Sequence, residues 1–162
     1  MESEKKQGCL SALLRLFAGA EPEPASALPY RRKDYLLTKA ERAFFEVLQG
    51  CAGGDFLIFA KVRLADLVWI PGGTESRMSF QDRIQSKHID FAPCSRDAVR
   101  PVLAIELDDS SHERESRRAR DEFVDATLNA AGLLFLRVPV RARYDAAELR
   151  TLIRSQTAEH SG

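Results

Sequence analysis

Apolar positions recur at helical spacing just after the tetrapeptide Thr38-Lys39-Ala40-Glu41. That tetrapeptide has the form of a capping box, and Ala40, Phe44, Val47 and Leu48 then line one stripe. A helix is expected there, with Gly50 as its stop. Phe56 to Val62 (FLIFAKV) is a compact apolar run of strand length, whereas Arg63 to Ile70 reads equally as a strand continuation or a short helix. Gly72 and Gly73 mark a loop, and Ser79 to Ser86 a polar, helix-compatible excursion. His88 to Cys94 (HIDFAPC) alternates, and Val102 to Asp108 (VLAIELD) is apolar and β-branched; the polar link between them predicts a hairpin.

Ser110 and Glu113 form a second capping box, opening a helix that runs to about Ala131. Phe123, Val124, Thr127, Leu128 and Ala131 make its buried stripe, and Gly132 ends it. Leu133 to Val138 (LLFLRV) is a buried strand and Asp145 to Gln156 a last helix. Adjacent apolar strands with helices before and after predict an α/β fold, a mixed sheet covered on both faces.

Size and composition agree. The 162 residues, 44% hydrophobic, suffice for one domain with its own core, expected over residues 30–157, with a five-residue tail after it. Residues 1–29 form a separate segment: an apolar stretch, Cys9 to Ala20, interrupted by Arg15, then the Pro-rich linker EPEPASALP. The stretch is too short to span a bilayer, and an amphipathic helix making weak contact with a membrane or partner is expected. Three widely spaced cysteines, Cys9, Cys51 and Cys94, fit neither a zinc site nor a disulfide framework. Reduced thiols imply a cytoplasmic protein. Formal net charge is zero, so no basic excess announces a nucleic-acid binder.

The candidate chemistry lies between His88 and Arg137. Strand alternation sends Ala104, Glu106 and Asp108 to one face and Leu103, Ile105 and Leu107 to the other. Acids on an apolar strand are costly unless solvated, paired or bound to a cation. Asp90, between Ile89 and Phe91, poses the same problem, and in a hairpin it converges with Glu106. Such hard oxygen donors suit Mg²⁺. His112, at the start of the following helix, is either an exposed residue or a proton acceptor. Glu41 either closes its capping box or joins the site. Asp109 reads as a turn residue, and Asp121 and Asp125 as members of an exposed helix face. Arg137 in LLFLRV needs an acidic partner.

The segments LLTKAERAFFEVL, FAKVRLADL, KHIDFAPC, AIELDDSSH, RRARDEFVDATLNAAGLLFLRVP and AAELR resemble a bacterial domain of unknown function, number 2726 in its series. That family is placed with very-short-patch-repair-like endonucleases in the PD-(D/E)XK superfamily. The resemblance implies a restriction-endonuclease-like three-layer α-β-α sandwich with a mixed central sheet. It also implies an endonuclease-like hydrolase acting on nucleic acid, DNA first, with Mg²⁺ or Mn²⁺ as cofactor. By position, Asp90 and Glu106 match the metal-holding acids, Glu41 the first-helix glutamate, His112 the histidine after the acidic strand, and Asp121 an acid of the next helix. The signature's lysine position is occupied by Asp108, which cannot stabilise an anionic transition state as lysine does. On these grounds Asp90, Glu106, Asp108, His112 and Glu41 are the candidate catalytic residues, with Asp121 and Arg137 behind them. Arg31, Arg32 and Lys33, with the Arg-rich start of the helix after His112, are candidates for backbone-phosphate contacts. The alternative is a catalytically silent binding or scaffold module on the same fold.

Overall fold

The computed structural model describes residues 28–108 and 115–158, with side chains described through 108 and from 121 onward. The chain divides between Leu36 and Leu37, and among the described residues the regular elements lie after that division. In order these are α1 (Lys39–Ala52), β1 (Phe56–Arg63), α2 (Leu64–Leu67), α3 (Arg77–Gln85), β2 (His88–Ser95), β3 (Leu103–Asp108), α4 (Glu115–Ala130), β4 (Leu134–Pro139) and α5 (Ala146–Ala158). Residues 1–27, 109–114 and 159–162 lie outside the described residues, and with them the expected amphipathic segment, the Ser110 capping box, Asp109 and His112.

The four strands form one mixed sheet in the order β1-β2-β3-β4. β1 to β2 and β2 to β3 run antiparallel, while β3 and β4 are parallel. The tight polar link after β2 allows the hairpin, and its turn is closed by the Ser95 N–H donating to the Arg100 carbonyl at 2.8 Å. A parallel pair needs a long crossover, which α4 provides.

Two apolar clusters sit on opposite faces. The first joins α1 and α5 to the sheet through Phe44, Leu48, Leu103, Ile105, Leu149 and Ile153. The second joins α2, α3 and α4 to it through Leu64, Ile84, Ile89, Ala104, Val124 and Leu128. β3 feeds both, with Leu103 and Ile105 on one side and Ala104 on the other, as strand alternation requires. The protein is thus of α/β class, a mixed sheet with helices on both faces.

Three local expectations need correction. α1 does not stop at Gly50 but continues to Ala52, because Cys51 and Ala52 are buried in the first cluster and hold the last turn; Gly53 caps it. The stripe of α4 is narrower than its spacing suggests: Val124 and Leu128 are fully buried, but Ala131 lies beyond the helix and is exposed. Finally, β2 does not alternate. Phe91 packs in the first cluster and Ile89, two residues earlier, in the second, so the strand changes face at Asp90. From Phe91 to Cys94 it is buried without interruption, as an interior strand covered on both sides must be.

Candidate functional site

The change of face at Asp90 has a counterpart on β1. Ala60 pairs with Phe91 and Val62 with Ile89, but between them Lys61 drops out of the ladder. Its backbone is left-handed, with φ of 56°. A non-glycine residue held this way costs about 1–3 kcal/mol, and it persists only where its surroundings dictate it. Here both flanking residues are tied into the sheet, and the side chain is tied as well.

The Lys61 ammonium donates to Glu41 Oε1 at 2.6 Å and to Asp90 Oδ1 at 2.8 Å. Glu41 reaches it from the first turn of α1, where its Oε2 simultaneously accepts the Thr38 N–H at 2.9 Å. The capping reading and the site reading of Glu41 therefore coexist: one oxygen caps the helix, and the other holds the lysine. Asp90 is equally divided, since its Oδ2 accepts the Leu107 N–H of β3 at 3.0 Å. Phe91 of β2 pairs with Ile105 of β3, and these are the chain neighbours of Asp90 and Glu106.

Burial alone would raise the Glu41 carboxyl, but the Lys61 ammonium and the Thr38 N–H outweigh it and hold the group below its usual range. Burial likewise disfavours the charged Lys61, but hydrogen bonds to Asp90 and Glu41 reverse the balance and raise its pKa. Both groups are charged at neutral pH.

Glu106 belongs to a second network. It is buried, and Arg137 Nη1 of β4 lies 3.3 Å from its Oε2. The same guanidinium reaches α4, at 2.8 Å from Asp125 Oδ1 and 3.8 Å from Asp121 Oδ2. The requirement that Arg137 find an acidic partner is met threefold. Asp125 is exposed, as expected of its helix face, and Asp121 is half-buried; both are turned toward this arginine.

The structure accordingly joins Glu41 with Asp90, and Glu106 with Asp121 and Arg137. Asp108 stands apart at the exposed end of β3, its carbonyl accepting the Val140 N–H. Lys61 is the residue that sequence reasoning missed, and Asp125 is read there only as part of an exposed helix face. The signal for Lys61 was present: a lysine inside FLIFAKV demands a partner by the same argument that singles out Arg137 in LLFLRV.

A divalent ion of the Mg²⁺ type is usually held by one or two carboxylates completed by water and phosphate oxygens, not by a full protein cage. Asp90 and Glu106 are carboxylates of that chemistry, each engaged by its own cation, Lys61 and Arg137, and among the described residues no group of three or more Asp, Glu, His or Cys could hold a metal ion. What the two side chains offer a cation is hard oxygen donors. Among the described residues, no helix is long and apolar enough to cross a membrane.

No curated protein and no solved structure matches this chain. A model of the family described as a protein of unknown function, DUF2726, matches residues 33–156. That stretch contains both networks and most of the chain. The protein belongs to the DUF2726 family.

Proposed function

We propose that the domain is a Mg²⁺- or Mn²⁺-dependent phosphodiesterase of endonuclease type, acting on nucleic acid, with DNA as the first candidate. The reading includes a restriction-endonuclease-like sandwich of the PD-(D/E)XK kind, supported by the mixed sheet with helices on both faces. The observation that carries it is Lys61. A strained backbone in mid-strand places an ammonium against Asp90, next to the acidic strand whose signature lysine position holds Asp108 instead. Strain of this kind clusters at functional sites.

Asp90 and Glu106 would hold the divalent ion, which when bound would supply Lewis-acid polarisation of a phosphate and lower the pKa of a nearby water. Arg137 holds Glu106 in place, with Asp121 and Asp125 fixing the arginine in turn. Lys61 supplies from β1 the positive charge that Asp108 cannot, facing the phosphate as negative charge builds on it. Glu41 orients Lys61. His112 takes the proton of the attacking water as its oxygen bonds to phosphorus and the P–O bond to the leaving strand breaks.

Plasmid nicking in Mg²⁺ or Mn²⁺ tests this, comparing wild type with Asp90→Ala and Glu106→Ala. Metal-dependent nicking abolished by either substitution is expected; metal-independent cutting, or cutting that survives both, overturns the reading. One observation favours a silent binding or scaffold module instead: Asp90 and Glu106 each already have a cationic partner, as a purely structural network would. That module predicts salt-dependent nucleic-acid binding, or none, without hydrolysis.

A further inference from the structure

Each oxygen of Asp90 already has a donor, Lys61 on Oδ1 and the Leu107 N–H on Oδ2. A divalent cation that approaches Oδ1 meets the ammonium 2.8 Å from the same oxygen, and the repulsion between the two positive charges sets them in competition for it. The Leu107 N–H belongs to the backbone of β3 and cannot withdraw without breaking the sheet. The ammonium sits at the end of four methylenes, on a side chain 31% exposed, and it has a second carboxylate to stay with. That carboxylate, Glu41, is fixed by its other oxygen to the start of α1. We propose that Lys61 is the resident counter-ion of Asp90, and that a divalent cation binds Asp90 only by driving the ammonium off Oδ1 and onto Glu41 alone. Lys61 thereby lowers the metal affinity of the site it serves, and the proposal rests on the reading of Asp90 as a metal carboxylate.

The two partners of Lys61 then have distinct work. Asp90 is the position contested between lysine and metal, and Glu41 is the holding position that keeps the ammonium nearby after exchange. Free divalent ion alone would be bound weakly, because exchange gives up a 2.8 Å charge-assisted hydrogen bond.

Calorimetric titration of the full chain with Mn²⁺ tests this without reference to catalysis. Lys61→Met and Lys61→Gly should each bind Mn²⁺ about tenfold more tightly than wild type, reflecting one lost competing charged hydrogen bond. Lys61→Gly guards against misfolding, since glycine accepts the left-handed backbone at this position without strain. Lys61→Arg, which retains the charge, should stay within a few-fold of wild type. Unchanged or weaker binding in both Lys61→Met and Lys61→Gly, or no Mn²⁺ binding by any form, overturns the proposal. Asp90→Ala separates the two readings. If it abolishes binding while the Lys61 variants change nothing, only the counter-ion role falls; if it binds as wild type does, Asp90 is not a metal ligand and both fall.

Discussion

Glu106 and Arg137 face each other in the parallel register of β3 and β4, with guanidinium and carboxylate 3.3 Å apart. Glu106 is 7% exposed, which distinguishes this pair from a surface one such as Arg42–Glu46, whose side chains are 66% and 63% exposed. Exposed pairs contribute about 0–1 kcal/mol, whereas removing one partner from a buried pair leaves the other charge desolvated. Arg137→Met should therefore cost about 2 kcal/mol in urea unfolding, discounted from the fully buried case because the arginine is 28% exposed. The double variant Glu106→Gln/Arg137→Met should recover part of the loss. A single-variant cost below about 0.5 kcal/mol would place the pair with the surface ones.

The Glu41 carboxyl titrates lower folded than unfolded, so its ionised form stabilises the fold above its ordinary pKa of 4.5. That contribution disappears as pH falls through the lowered folded value. Wild type should exceed Glu41→Gln in urea midpoint at pH 6–7, and the gap should close on acidification below about pH 4.5. A gap that is constant with pH would mean that Lys61 and Thr38 hold the amide as well as the carboxylate.

Gly50 and Gly132 predict opposite outcomes for the same substitution. Neither has an atom within 4 Å of an added Cβ, so backbone conformation alone decides. Gly132 has φ of 67° at the end of α4, and Gly132→Ala should destabilise by about 1 kcal/mol. Gly50 lies inside α1, and Gly50→Ala should stabilise by about 0.5–1 kcal/mol. Thermal melts of the two variants check the contrast in sign.

Leu128 is fully buried between α4 and the sheet, in the smaller of the two clusters. Leu128→Ala should cost about 3 kcal/mol, the transfer loss plus the cavity left behind. Ala131, assigned by spacing to the same stripe, is exposed, and Ala131→Ser should change stability by less than about 0.5 kcal/mol. Equal effects at the two positions would contradict the packing of α4.

Much of the element pattern was legible because it depends on near neighbours. The capping box at Thr38 forms as its spacing implies, with both reciprocal hydrogen bonds present. Asp145 likewise accepts the N–H groups of Ala147 and Glu148 at the start of α5. Periodicity overreached where tertiary contact competes with it. Gly50 was a plausible stop, but burial of Cys51 and Ala52 carries α1 past it. The apparent alternation of HIDFAPC dissolved because β2 is an interior strand and changes face opposite Lys61.

What the sequence determined alone is local and compositional: which segments are helices and strands, and which charged residues stand in apolar strands and so require partners. The identity of those partners came only from the assembled sheet. Asp90, Glu106 and Arg137 announce themselves because a charge costs free energy in an apolar run, but that cost is the same for every opposite charge that might relieve it. Strand order, register and the left-handed backbone of Lys61 made the choice. They bring Glu41 and Asp90 to one ammonium, and Glu106, Asp121 and Asp125 to one guanidinium, across separations in the chain that no short-range pattern records.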